Sequence, residues 1–337
     1  MSYRIKEKSM KKLLVLLIVA LISFSAVYAQ GETETTGPIV LKLGHGIQNS
    51  HPAHLAAVQF AEEVAEKTDG AIEIQVYPNR QLGEEREMVE GLQFGTVDFV
   101  ITSTGPLVSF VPEIGVVDLP FLFTSSEHAY RVLDGKIGQD ILKKFEEKSI
   151  VGLSFMENGW RSISSSKKIE TPEDLQGLKI RTMQNKVHMA AFSALGASPV
   201  PMAWGEVYTS LQQGVIDGQE NPPVILATNA LWEVQDYYAL TKHFYTPQMF
   251  LMSKSTVGKL SDDQMAIIKE AAKNATDFQR AKMAELDSEY IATLEKNGME
   301  VYEVNGSLFQ QATKSVYDEY SSVFGADLIA AIMAMGD

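Results

Sequence analysis

Two arginines and an asparagine stand out by residue type, setting and interval. Arg161 lies in Gly159-Trp160-Arg161-Ser162, Arg181 in Gly177-Leu178-Lys179-Ile180-Arg181, and Asn221 in Asp217-Gly218-Gln219-Glu220-Asn221-Pro222, at intervals of 20 and 40 positions. A guanidinium presents a planar fork of donors that grips a carboxylate bidentately and keeps its charge at any physiological pH. Two such forks and an amide are the makings of a site that binds and orients an organic acid. The chain is acidic overall, with 29 Lys and Arg against 43 Asp and Glu and a net charge of −14. Such a surface repels nucleic acid, anionic membranes and, at long range, anionic ligands. An acid-binding site on it has to be locally basic, which gives the two arginines more weight.

Each of these residues also has a plainer reading. Arg161 can anchor a loop over Ser164 to Ser166, Arg181 can be a surface charge, and Asn221 can satisfy the turn before Pro222-Pro223. Glu84 follows Gln81-Leu82-Gly83 and opens a helix, where an acid complements the dipole. Met183 flanks Arg181, and Trp204 precedes a helix where its ring can cover one face of a ligand. His45, at the end of the first strand, and Gln48, Glu84, Ser103 and Asn221 offer polar partners for ligand hydroxyls. His51 and His54 share a helical spacing of three, but no cysteine or glutamate completes a familiar ligand set, so neither a metal nor a cofactor is expected. Gly44-His45-Gly46 lacks the third glycine of a dinucleotide loop, and no phosphate loop or nucleophile elbow is present, so enzyme activity is not expected.

The elements that must position these residues alternate. Ile39 to Leu43 reads as a strand, Pro52 to Thr68 as an amphipathic helix, Ile72 to Tyr77 as a strand, Glu84 to Phe94 as a helix stopped by Gly95, and Val97 to Ile101 as a buried strand. Such alternation argues for α/β sheets covered by helices. Thr171-Pro172-Glu173-Asp174 starts a short helix closed by Gly177, and Leu178 to Arg181 re-enters a sheet. That leaves Arg181 at a strand's C-terminal end, where open α/β sheets place ligands. Ser261 caps a long helix from about Asp262 to Glu295. A faint repeat aligns residues 92–98 (LQFGTVD) with 211–217 (LQQGVID), which suggests a duplicated strand–helix–strand unit facing its twin across a cleft.

The first 29 residues read as an export signal. Arg4, Lys6, Lys8, Lys11 and Lys12 precede an apolar run from Leu13 to Phe24, and Val27-Tyr28-Ala29 supplies a cleavage site after Ala29. Met10 is an alternative start. The run is shorter than the roughly 20 residues of a spanning helix. Removing the leader's five basic residues and one acidic residue leaves 24 and 42, a net charge of −18. The chain has no cysteine, which excludes disulfides, thiol catalysis and a lipidated cysteine. A mature chain of about 308 residues exceeds the usual single core, so two lobes are expected.

With these motifs at these intervals, the chain resembles the DctP family, the extracytoplasmic solute receptors of tripartite ATP-independent periplasmic (TRAP) transporters. The likeness runs from about Val40 to beyond residue 300. It implies a flytrap of two α/β lobes around a cleft, with the long C-terminal helix spanning both. Lobe I would comprise residues 30–158 and about 247–285, and lobe II residues 159–246 and about 286–337. It implies that Arg181 pairs with a substrate carboxylate, that Asn221 in Gln-Glu-Asn-Pro contributes binding, that Glu84 accepts from substrate hydroxyls, and that Gln248 lies near the site. A periplasmic monomer is expected, with the small and large membrane subunits of an ion-gradient-driven permease as partners. Thr102 to Leu107 and Gly159 to Arg161 look like the segments of uronate-type receptors, so a sugar acid is the expected ligand. A four-carbon dicarboxylate is the alternative, with Arg161 taking the second carboxylate; a sensor's ligand-binding subunit is another.

Overall fold

The computed structural model describes residues 37–336; the expected leader and its cleavage site lie outside them. The first sheet begins with β1 (Ile39–His45), β2 (Ile72–Tyr77), β3 (Phe99–Ser103) and β4 (Ile150–Met156). The chain then builds a second sheet from β5 (Trp160–Ser165), β6 (Lys179–Thr182), β7 (Ser198–Pro201), β8 (Gly218–Asn221) and β9 (Tyr237–Tyr245). It returns to the first with β10 (Gln248–Ser253) and to the second with β11 (Glu300–Glu303). The strand orders are β2-β1-β3-β10-β4 and β11-β9-β5-β8-β6-β7. Both sheets are mixed: β1 runs parallel to β2 and β3, whereas β10 runs antiparallel to β3 and β4. In the second sheet β6 is parallel to β7 and β8, and β5 is antiparallel to β8 and β9. The chain therefore passes between the sheets three times: at residues 157–159, at 246–247, and along the segment that joins β10 to β11.

Local chemistry explains the elements. The helix Pro52–Lys67 starts where the His51 ring accepts a hydrogen bond from the Ala53 amide, with proline in the first turn, and it buries Ala53, Ala56, Ala57, Phe60 and Val64. Phe60 meets Phe99 and Phe250 edge-on at 5.3 and 4.8 Å, which makes Phe250 a core residue of the first lobe. Thr171 and Asp174 form a reciprocal capping box, but the element it opens is a single 3-10 turn, Pro172–Leu175. The strand expected from Val97 begins at Phe99 instead. Its predecessor Asp98 turns its carboxylate onto the Lys42 amide at 2.9 Å, and Val97 packs into the core.

The repeat is real in three dimensions. Asp98 accepts from the Lys42 amide, and Asp217 accepts from the Lys179 amide at 2.8 Å; each aspartate thus pins a neighbouring strand of its own sheet. The preceding helices both run out at a left-handed glycine, Gly95 (φ 71°) and Gly214 (φ 67°), a conformation that glycine adopts without a Cβ penalty.

Ser261 and Gln264 cap the helix Asp262–Lys296 reciprocally. At 35 residues it is about 52 Å long. It packs on Pro52–Lys67 and β4 at the first lobe and on the helix Pro223–Thr228 and β11 at the second. Among the described residues no helix is long and apolar enough to cross a membrane.

Candidate functional site

A cleft lies between the two sheets. Its walls come largely from the ends of strands: Ser103 ends β3, Gln248 opposes it at the start of β10, Arg181 lies near the end of β6, and Asn221 ends β8. Met183 and Trp204 from the second lobe and Glu84 from the first complete the group of expected residues that the fold brings together.

Arg181 is only 2 % exposed, yet its charge is poorly compensated. Nε and Nη2 both donate to one carbonyl, that of Met202, at 3.0 and 2.7 Å. Among the described residues nothing accepts from Nη1, and Arg181 enters no salt bridge with them. Burial lowers its pKa to about 10, with Glu220 acting against that fall, so it stays cationic at neutral pH. A desolvated cation is costly unless an anion reaches it. The Trp204 ring lies 5.6 Å from the guanidinium carbon and walls the same corner.

Glu84 sits at the N-terminus of the helix Glu85–Phe94. Its carboxylate pairs with Arg80 at 3.2 Å and accepts from the Gly205 amide of the second lobe at 3.4 Å. Burial raises its pKa, with Arg80 opposing the rise. Asn221 Nδ2 donates to Gln219 Oε1 at 2.5 Å, and its side-chain Oδ1 has no protein donor among the described residues. The Ser103 hydroxyl is engaged, donating to Glu85 Oε1 at 3.1 Å, and Thr102 and the Ser103 amide donate to the same oxygen. Two amide oxygens at the cleft, Asn158 Oδ1 and Gln248 Oε1, are buried with no partner. They are acceptors waiting for donors.

Three expected residues do not line the cleft. Arg161, 1 % exposed, is held by Glu220: Nε lies 2.5 Å from Oε2, and Nη2 donates to Oε1 at 2.8 Å and to the Glu220 carbonyl at 2.6 Å. Burial would raise Glu220, but Arg161 and His243 outweigh it and hold the carboxyl well below the usual range. The reason lies in strand geometry. Arg181 is in register with Gln219 on β8 and Ile163 with Glu220, so alternate residues of β8 serve opposite faces of the sheet. Arg161 lies on the Glu220 face and Arg181 on the Gln219 face. His45 is wholly buried and meets His54 ring-to-ring, Nε2 to Nδ1 at 3.1 Å; burial first, then His54 and His51, lowers its pKa to about 3. Gln48 is half-buried and donates to Asn229 at 3.3 Å, joining the two lobes beside the cleft.

Sequence reasoning missed Arg80, Glu85 and Asn158. Arg80 stood four residues before Glu84, a legible helical ion-pair spacing, although here it sits in a turn with φ 61°. Asn158 carries no motif; it reaches the cleft because the chain changes sheets there, beside Gly159 at φ 103°.

The model of the family described as bacterial extracellular solute-binding protein, family 7 (DctP) matches residues 43–323. A solute-binding protein of Verminephrobacter eiseniae is 42 % identical over 82 % of this chain and 83 % of its own length. A TRAP periplasmic solute-binding protein of Polaromonas, solved with D-erythronate, is 43 % identical with a TM-score of 0.86, over 88 % of this chain and 98 % of its own. Another from Sulfitobacter, solved with β-D-galacturonate, is 36 % identical with a TM-score of 0.84, over 88 % and 98 %. Sequence, two-sheet topology and cleft agree, and the chain belongs to the DctP family of bacterial extracellular solute-binding proteins.

Proposed function

We propose that this chain is the extracytoplasmic receptor of a TRAP transporter and that it binds a sugar acid, one carboxylate with several hydroxyls. The observation that carries this reading is the pairing, in one cleft, of a buried arginine lacking a counter-charge with unsatisfied acceptors. Arg181 asks for a carboxylate. Asn158 Oδ1 and Gln248 Oε1 ask for hydroxyl donors, and the Glu84 carboxylate, already paired with Arg80, lies in the same cleft as a further acceptor. A dicarboxylate would bring a second charge toward Glu84, and Arg161, the group expected to receive it, already belongs to Glu220. Relatives solved with D-erythronate and β-D-galacturonate, each a hydroxylated monocarboxylate, support the same class.

In this reading the protein is exported, cleaved after Ala29 and works as a periplasmic monomer that delivers the acid unchanged to the two membrane subunits of the permease. Its lobes are residues 30–158 with about 247–285, and 159–246 with about 286–337, hinged where the chain changes sheets. A ligand touching both lobes favours their closed arrangement by its differential affinity. The test is a thermal-shift screen of the mature protein against sugar acids and four-carbon dicarboxylates, followed by calorimetry. Stabilisation by D-erythronate, D-galacturonate or a related acid, recovered intact after long incubation, is the expected result. Stabilisation by succinate or malate alone overturns the sugar-acid assignment.

A further inference from the structure

We infer that Gly105 and Gly205 are the seats on which the lobes close, each kept free of a side chain by a cleft-lining residue of the opposite lobe. The inference rests on the reading of the cleft as the ligand site. Neither glycine has the left-handed φ that would demand this residue for backbone reasons. What demands it is space. A Cβ at Gly205, beside Trp204 in the second lobe, would fall 2.2 Å from Glu84 Oε1 and 3.3 Å from Arg80 Nε of the first. A Cβ at Gly105, just after β3 in the first lobe, would fall 2.6 Å from Cε, 2.7 Å from Sδ and 3.1 Å from Cβ of Met183, just after β6 in the second. The arrangement is reciprocal: each lobe supplies one bare glycine and one side chain that rests on the other's.

Two other tight glycines differ. Gly44 presses on Met88 and Gly152 on Leu142, contacts within the first lobe that persist however the lobes are disposed. The contacts at 105 and 205 exist only when the lobes are together. A methyl group there meets nothing from the other lobe in an open molecule and collides in a closed one. It therefore shifts the equilibrium toward open without touching either lobe's core. At 205 it also drives Glu84 off Arg80 and off the Gly205 amide, so the same methyl disturbs the hydroxyl-accepting wall.

The chain contains no cysteine, so closure can be read with two introduced thiols and no ligand. Gln48 and Asn229 hydrogen-bond across the lobes, and Gln48→Cys with Asn229→Cys places thiols on either side. Bridging by dibromobimane, which fluoresces once it joins two thiols, then proceeds at a rate proportional to the closed population. Gly205→Ala should slow bridging roughly 5- to 150-fold, the range expected of overpacking, with the melting temperature of the ligand-free chain unchanged. Adding Glu84→Asp, one methylene shorter, should restore the rate. Gly105→Ala should slow it likewise, with Met183→Ala as its rescue. Unchanged bridging in the folded alanine variants, or slowing that neither rescue relieves, overturns the inference. D-Galacturonate binding to the unsubstituted chain is measured separately: its failure counts against the substrate reading, whereas the bridging rates judge the glycines alone.

Discussion

Arg161 and Arg181 lie in the same sheet and are almost equally buried, yet they have different partners. Arg161 spends Nε and Nη2 on Glu220, a carboxylate of its own chain, with His243 Nε2 a further 3.4 Å from that acid. Arg181 spends the same two nitrogens on one neutral carbonyl and has no direct ion-pair partner among the described residues. The difference teaches that burial does not mark a functional charge; the missing partner does. A paired buried charge is part of the scaffold, and an unpaired one is a request for a ligand.

Substitution separates the two sharply. Arg181→Ala should lose ~3–5 kcal/mol of acid binding, roughly two to four decades of affinity, with little loss of melting temperature. Arg181→Lys should bind badly too, because a point charge does not reproduce the fork. Arg161→Ala should instead lose ~3–5 kcal/mol of folding stability, since it strands the Glu220 carboxylate in the interior. Calorimetry and denaturant melts on both variants check this. The comparison breaks if Arg161→Ala proves as stable as the parent chain, or if Arg181→Ala binds at full strength.

Ligand sharpens it from the other side. At 100 times the dissociation constant, a sugar acid should add about 2.7 kcal/mol of stability to the parent and to a surviving Arg161 variant. It should add nothing to Arg181→Ala. Small-angle scattering should show compaction in the same proteins that are stabilised; stabilisation with an unchanged profile would sink lobe closure.

Glu84 tests the opposite wall. With a sugar acid, Glu84→Ala should cost about 1–3 kcal/mol of affinity, because hydroxyl donors lose their acceptor. With a dicarboxylate, the same change removes a like charge and should leave affinity unchanged or improve it.

A further effect is one of pH. Burial lowers the His45 and His51 pKa values to about 3, from 6.5 when unfolded. Below about 6.5 the unfolded chain therefore takes up protons that the folded chain refuses. Stability is full above that point and declines toward pH 3, by up to about 1.4 kcal/mol per pH unit for each ring. His51→Asn keeps an acceptor for the Ala53 amide at the helix start and should flatten the decline between pH 6.5 and 5. An unaltered slope in urea melts would remove His51 from that role.

Much of the architecture was legible because it is local. Caps such as Ser261 with Gln264 and Thr171 with Asp174, the stop at Gly95, and the alternation of strands and helices all follow from residues within a turn of one another. So did the placing of Arg181 near a strand's end, and the likeness of residues 92–98 to 211–217 that the Asp98 and Asp217 contacts bear out. Tertiary structure alone decided which polar groups were already spoken for. Glu220 and Asn221 are adjacent in the sequence, but side chains alternate along β8. One therefore met Arg161 in the interior while the other faced the cleft with Arg181. His45 found His54 instead of open space, and Asn158 gained its place from a change of sheet that no motif announces. Residue type states what a side chain is able to bind; only the packed neighbours determine whether it is still free to do so.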